Sequence, residues 1–114
     1  MQLSISAELN PAVQGLPGPL ARALEGYVER LDIDSIREAY ELASEAHQGQ
    51  IRASGAEYIS HPIEVATILA QLQLDSDSII AGLIHDSVED TLISLADVEG
   101  RFGKGVSTLS LIHI

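Results

Sequence analysis

The chain has 114 residues, 46% of them hydrophobic, which is enough apolar material for one packed domain with a single core. Six basic residues against 17 acidic ones give a net charge of −11, which argues against non-specific electrostatic binding to DNA or to an anionic membrane. Cysteine is absent, so any metal ion must be bound by histidine nitrogen and carboxylate oxygen atoms.

The first helix of the chain is predicted after an irregular lead-in. Residues 1–17 contain two prolines and a glycine and show no sustained period. Apolar residues then recur at spacings of three and four, which predicts a helix to about Leu31: Leu20, Ala23, Leu24, Tyr27, Val28 and Leu31. Asp34 is the predicted N-cap of a second helix, and Gly49 is its stop signal.

A loop separates the second helix from a third one. Residues 48–60 hold two glycines and two serines without a helical period, so they are interpreted as a loop. Pro62 suits the first turn of a helix, which puts His61 at a helix start.

The fourth helix is predicted to be the most buried one. Asp75 or Asp77 can cap it, and its apolar residues run almost without interruption into His85. Ser94 is the predicted cap of a last helix, which ends near Gly103. The elements therefore predict an all-α protein. The start of the chain lacks the features of a signal peptide and no apolar run approaches the ~20 residues that span a bilayer, so we expect a cytoplasmic protein.

A polar cluster interrupts the fourth helix. His85 and Glu89 are four residues apart, and so are Asp86 and Asp90, so each pair shares a helix face. An adjacent His-Asp pair is usually a surface or capping feature. Here it follows the most apolar segment of the chain, where burying four polar side chains without a counter-charge is costly. A bound divalent cation such as Mn²⁺, Fe²⁺ or Zn²⁺ would remove that cost.

Three segments carry a resemblance to a known family: AHQGQIRASG at 46–55, ISHP at 59–62 and AGLIHDSVED at 81–90. With their spacing, they closely resemble the hydrolase domain of the RelA/SpoT homologues, the enzymes of the stringent response. The resemblance implies an all-α HD-domain helical bundle, of which this chain holds the N-terminal part. We expect a truncated HD hydrolase domain at residues 18–109, and a non-native tail at 110–114.

The resemblance also implies a reaction and a metal centre. Members of that family hold Mn²⁺ and remove the 3′-pyrophosphate of guanosine tetra- or pentaphosphate, (p)ppGpp, to give GDP or GTP and pyrophosphate. The matching metal ligands are His61, His85 and Asp86, although other divalent transition metals can take such donors. Glu89 and Asp90 match the residues of the HDxxED motif, and we assign them to the attacking water.

Substrate contacts are expected on the loop. Arg52 matches an arginine at the guanine and phosphate side of the family's pocket, and a guanidinium both stacks on a base and binds phosphate. Ser54 is a candidate phosphate contact. An ordinary loop arginine is the alternative interpretation of Arg52.

Departures from the family pattern leave two other functions open. The family's fourth ligand is an aspartate on a later helix, beyond residue 114, so the activity of this fragment stays open even where its parent is an enzyme. One alternative is a general HD-type nucleotide phosphohydrolase. The other is a non-catalytic metal-binding module that forms a homodimer through an apolar face exposed by truncation.

Overall fold

A computed structural model of the chain describes residues 10–46, 60–90 and 94–110, and for residues 86–90 it describes the helical backbone alone. Within these ranges the chain forms α-helices and two short 3₁₀ helices, and no strand, so the predicted all-α class is confirmed. The α-helices are α1 (Gly18–Glu25), α2 (Ile33–Ala46), α3 (Ser60–Gln71), α4 (Ser76–Asp90), α5 (Leu95–Phe102) and α6 (Lys104–Ser110), and the 3₁₀ helices are Pro11–Val13 and Val28–Arg30.

The end of α1 differs from the sequence prediction. The predicted helix to Leu31 is wrong, because α1 ends at Glu25 and the chain continues into the 3₁₀ helix Val28–Arg30. Val28 and Leu31 nevertheless pack against the core, since a 3₁₀ turn also brings residues three apart onto one side. Tyr27, between the two helices, is buried, and its hydroxyl donates a 2.8 Å hydrogen bond to the carbonyl of Leu74.

The N-cap of α2 is also displaced from its predicted position. Asp32, not Asp34, carries out this role: its carboxylate accepts hydrogen bonds from the backbone N–H of Ser35 at 3.2 Å and from the Ser35 hydroxyl at 2.9 Å. Asp34 lies in the first turn and pairs with Arg37 at 3.3 Å. Both aspartates suit a helix start by charge, and the chain direction set by the preceding 3₁₀ turn selects Asp32. The predicted stop at Gly49 lies outside the described residues.

The other predicted caps agree with the structure. Asp75 caps α4 by accepting a 3.0 Å hydrogen bond from the N–H of Ser78. Ser94 and Asp97 form a capping box at α5, in which each side chain accepts a hydrogen bond from the other residue's N–H, at 3.1 and 3.2 Å. The helix ends at Phe102, where Gly103 turns the chain with a φ of 96°. The sequence analysis did not predict α6, which begins directly after this glycine and buries Val106.

The turn between α3 and α4 is a Schellman motif. The N–H of Leu74 donates to the carbonyl of Leu69 at 3.2 Å, and the N–H of Gln73 donates to that of Ala70 at 2.9 Å. Gln73 has a φ of 59°, a left-handed conformation that usually falls to glycine. Its side chain accepts a 3.1 Å hydrogen bond from Arg30, whose guanidinium lies 5.3 Å from the Tyr27 ring centre.

The core is built around α4, as the unbroken apolar run predicted. This helix packs against α2, α3 and α6, while α1 packs against α3. Among the residues of α4 whose side chains are described, the buried hydrophobic ones are Ile79, Ile80, Ala81, Leu83 and Ile84. The described part of the lead-in is also packed: Val13 and Leu16 are buried, and the Arg37 guanidinium donates to the carbonyls of Ala12 and Gln14. The polar cluster of the sequence therefore follows the most deeply buried segment of the fold.

None of the helices in the described ranges is both long enough and apolar enough to cross a bilayer.

Candidate metal centre at the contact of α3 and α4

Two of the predicted site residues face one cavity. His61 at the start of α3 and His85 in α4 line a space of about 220 Å³ together with Val65, Leu69, Ala81, Gly82 and Leu109. Both imidazoles are partly buried. The cavity has two nitrogen-bearing side chains in an otherwise aliphatic wall, and such a wall strengthens any electrostatic interaction made inside it.

Helical spacing explains why the two histidines converge. His61, Val65 and Leu69 are four residues apart, so they form one stripe along α3. On α4, His85 follows Ala81 by four residues and Gly82 by three, which puts all three on one side of that helix. Because these two stripes face each other across the cavity, the convergence of the two histidines is a consequence of how α3 packs against α4.

The remaining acidic candidates lie on α4 beyond His85. Its backbone stays helical to Asp90, so the four-residue register of His85 with Glu89, and of Asp86 with Asp90, holds in the structure. Asp86 follows the cavity-lining Gly82 by four residues. The side chains of these three acidic residues lie outside what the structure describes, and the assignments made from the sequence stay predictions.

Binding of a metal ion at this cavity depends on how many donor atoms the surrounding side chains supply. Among the side chains that the structure describes, no group of three or more His, Asp and Glu residues is placed to hold one. His61 and His85 supply two nitrogen donors, and a third donor must come from another part of the chain. Asp86, adjacent to His85 and in register with Gly82, is the candidate with a described backbone position. The described side chains thus supply two of the donors that a divalent transition metal requires.

The predicted substrate contacts fall in the interval between α2 and α3. Arg52 and Ser54 lie outside the described residues, as does His47, for which a structural role at a helix end is the sequence interpretation. Ser60 and His61, where the described chain resumes, form the first turn of α3, and Pro62 behind them is buried. The prediction of a helix start at this point is thus confirmed.

A second hollow lies on the outer side of α3. It measures about 490 Å³ and is lined by His61 together with Pro19, Ile63, Glu64, Val65, Thr67, Ile68 and Gln71. Near it, Ile68 is 57% exposed and Leu72 is 66% exposed. His61 thus borders both the inner cavity and the outer hollow.

One residue of the cavity wall, Gly82, was not predicted from the sequence as part of the site. Gly82 lies inside an apolar helix, where glycine is unfavourable, and this was the available signal that a neighbouring element approaches closely. Which element approaches depends on the packing of α3, and no local pattern reports that.

The region that contains α3 and α4 is similar in sequence to known proteins. The HD domain family matches residues 39–110. Over 90 residues, 79% of its length, the chain is 43% identical to the bifunctional (p)ppGpp synthase/hydrolase SpoT of Escherichia coli K12. It is 41% identical over 83 residues, 73% of its length, to the guanosine-3′,5′-bis(diphosphate) 3′-pyrophosphohydrolase of Vibrio cholerae, and 41% identical over 103 residues, 88% of its length, to the GTP pyrophosphokinase of Streptomyces coelicolor.

The chain spans only a small part of these relatives: 13% of the Escherichia coli protein and 12% of each of the other two. The matches nevertheless confirm the resemblance to the RelA/SpoT homologues, because the matched region, residues 39–110, contains both α3 and α4.

Proposed function

Since this chain belongs to the HD domain family, we propose that it is the metal-binding part of a (p)ppGpp 3′-pyrophosphohydrolase. The proposed reaction removes the 3′-pyrophosphate of guanosine tetra- or pentaphosphate and yields GDP or GTP and pyrophosphate. The observation that supports it best is the convergence of His61 and His85 on one cavity, with the HDxxED motif continuing on the same helix. Relatives that match 73–79% of the chain include proteins named for this hydrolysis.

Three residues are proposed to hold the metal ion. His61 and His85 offer imidazole nitrogens from two different helices, and Asp86 offers a carboxylate next to His85. Mn²⁺ is the proposed ion, and other divalent transition metals suit the same donors. When bound, such an ion supplies a Lewis acid that polarises a phosphoryl oxygen and lowers the pKa of a water molecule.

The chain's own acidic residues are proposed to manage the proton. Glu89 and Asp90 end α4, one helical turn beyond His85 and Asp86. A carboxylate there can orient a water molecule for in-line attack on the pyrophosphate and accept its proton. Because the reaction separates a pyrophosphate from a nucleotide, a group that holds the attacking water is needed as well as groups that hold the substrate.

Substrate binding is assigned to the segment before α3. The chain's net charge of −11 opposes binding of a polyanionic nucleotide at long range, so attraction must be local. Arg52 can stack on guanine or donate paired hydrogen bonds to phosphate, and Ser54 can donate to a phosphate oxygen. The metal ion supplies further positive charge at the place where the pyrophosphate must lie.

A hydrolysis assay tests the proposal. A longer parent protein that contains this sequence, supplied with Mn²⁺ and ppGpp, is expected to release pyrophosphate. Asp86→Ala in that parent is expected to abolish the release. Asp34→Ala is the matched control, because the Asp34 side chain is 98% exposed on α2 and belongs to no part of the centre. A protein that retains its metal and leaves ppGpp intact while cleaving other nucleotides would instead be a general HD-type nucleotide phosphohydrolase.

A second function, a non-catalytic self-associating module, is favoured by two exposed apolar residues, one in α3 and one in the turn directly after it. Ile68 and Leu72 are each more than half exposed, and a second copy could cover them in a homodimer. Light scattering of the chain, and of an Ile68→Glu variant that introduces a charge on this face, tests the idea. A monomer at all concentrations in both proteins argues against the module, and a dimer that Ile68→Glu dissociates supports it.

A further inference from the structure

Gly82 lies inside the most buried helix of the fold, where a glycine is unfavourable for the helix itself. It occupies the middle of α4 and is buried. Glycine loses more backbone freedom in a helix than any other residue, and alanine at such a position usually stabilises the helix. A compensating role in packing is therefore expected at this position.

The close approach of α3 supplies that role. A Cβ atom at Gly82 would lie 2.9 Å from Cδ1 of Leu69, 3.4 Å from Cγ1 of Val65 and 3.9 Å from the Cα of Ala66. The Leu69 contact involves the end of a flexible side chain, which can move. The Ala66 contact involves backbone, which can move only if the helices separate. A Cβ alone therefore displaces only Leu69. The methyl groups of a branched residue extend beyond the Cβ towards the Ala66 backbone, and we expect them to push α3 and α4 apart.

This crossing point adjoins both candidate ligands. Gly82 precedes His85 by three residues, about 4.5 Å along the axis of α4. Val65 follows His61 by four residues, about 6 Å along the axis of α3. Two of the three contact residues of Gly82, Val65 and Leu69, also line the cavity that the two histidines share. A separation of the helices at residue 82 is consequently transmitted to the spacing of the two imidazoles within one turn.

We propose that Gly82 is a positioning residue, whose missing side chain sets the spacing of His61 and His85 and thereby the affinity of the site for a divalent cation. The cation part of this inference rests on the proposed function. Distances from histidine nitrogen to a bound transition metal, about 2.0–2.1 Å for zinc, have a tolerance of roughly 0.2 Å, so a shift of a few tenths of an ångström between the helices weakens binding.

The first test measures Mn²⁺ binding to the 114-residue chain by titration calorimetry, without substrate. Gly82→Val is expected to weaken binding about tenfold to a hundredfold, the usual range for residues that orient ligands, while circular dichroism still reports a helical fold. Gly100→Val is the matched control. It puts the same residue inside α5, where a Cβ would meet nothing within 4 Å, and is expected to leave Mn²⁺ affinity unchanged.

Rescue distinguishes positioning from general damage. Adding Leu69→Ala to Gly82→Val opens the space that the Leu69 side chain fills, so the valine side chain can occupy it instead of pressing on the Ala66 backbone, and most of the lost Mn²⁺ affinity should return. If Gly82→Val does not fold, Gly82→Ala replaces it, with a smaller loss of affinity in the same direction because Leu69 can move aside.

A metal-free measurement separates this inference from the proposed function. The ring ¹H and ¹⁵N resonances of His61 and His85 should both move in the Gly82 variant, return with Leu69→Ala, and stay in place in Gly100→Val. A wild-type chain that binds no Mn²⁺ refutes the metal centre, while the ring resonances still decide whether Gly82 sets the imidazole spacing. A folded Gly82→Val chain with wild-type ring resonances and wild-type Mn²⁺ affinity overturns the inference.

Discussion

Tyr27 joins the end of α1 to the turn between α3 and α4, and replacing it by phenylalanine isolates the contribution of one hydroxyl. The ring stays buried and keeps its contact with the Arg30 guanidinium, 5.3 Å from its centre, so the variant loses the 2.8 Å hydrogen bond to the Leu74 carbonyl. Leu74 is 37% exposed, so water can replace the lost donor. The expected loss in unfolding free energy is therefore about 0.5–1.5 kcal/mol at neutral pH, the net value of an ordinary hydrogen bond.

The stability difference between Tyr27→Phe and wild type should also depend on pH, which tests the prediction independently. Burial raises the pKa of the Tyr27 phenol above its ordinary value of 10.0; the Arg30 charge partly opposes the rise and the Asp75 charge adds to it. The folded state thus favours the neutral phenol, and the stability that it contributes is fully present below pH 10 and lost as the pH rises through the raised pKa. Tyr27→Phe lacks this titration, so the gap between variant and wild type should narrow above pH 10.

Urea unfolding at neutral pH and between pH 9 and about 11.5 measures both effects, with Tyr40→Phe on α2 as the control for loss of a phenol elsewhere. The result that would refute the reasoning is a gap that stays constant, or widens, at alkaline pH. Equal stability of Tyr27→Phe and wild type at neutral pH would show that the hydrogen bond to Leu74 contributes nothing measurable.

Three further substitutions test the packing and the helix ends. Leu83→Ala removes a fully buried side chain from α4 and should lower the unfolding free energy by about 2–5 kcal/mol, measured by urea denaturation; a loss below about 1 kcal/mol would contradict the central position of this helix. Asp75→Ala should cost about 1 kcal/mol near neutral pH. Hydrogen bonds from the Ser78 hydroxyl and backbone lower the pKa of Asp75 below 3.8, so its contribution is present above that value and lost as the pH falls through the folded pKa, and the variant's profile should be flatter there. Gln73→Gly should raise stability by up to about 1 kcal/mol, because it relieves a left-handed strain of about 1–2 kcal/mol and adds an unfolded-chain entropy of about 0.4–1 kcal/mol. Gln73→Ala, which equally loses the Arg30 contact but keeps the strain, should not raise it.

Local patterns were sufficient wherever one residue or one helix face decided the structure. The apolar run of α4 and the cap at Ser94 could be predicted because neighbouring residues determine burial and cap chemistry. The end of α1 could not, since a 3₁₀ turn satisfies the same three-residue spacing as an α-helix and the tertiary hydrogen bond of Tyr27 favours the turn. Asp32 and Asp34 are chemically equal candidates for a cap, and only the path of the chain separates them.

In the candidate site, too, some features follow from local sequence patterns and others depend on how the helices pack. The His85-Asp86 pair and its register with Glu89 and Asp90 follow from spacing alone, and the helical backbone of α4 agrees with it. His61 was predicted as a site residue because ISHP resembles a family motif. Its convergence with His85 depends on the packing of α3 against α4, which the sequence pattern does not report. Gly82 was missed because its importance lies in the distance to Leu69, a residue on another helix.

The position of the two imidazoles on separately packed helices makes cation binding and folding thermodynamically linked. His61 and His85 share a cavity only when α3 lies against α4, so an ion that requires both has low affinity for the unfolded chain. At a free concentration of one hundred times its dissociation constant, such an ion would stabilise the folded chain by about 2.7 kcal/mol. For a domain of this size that increment raises the melting temperature by roughly 10 °C, so thermal denaturation across a series of metals would rank their affinities in the absence of any substrate.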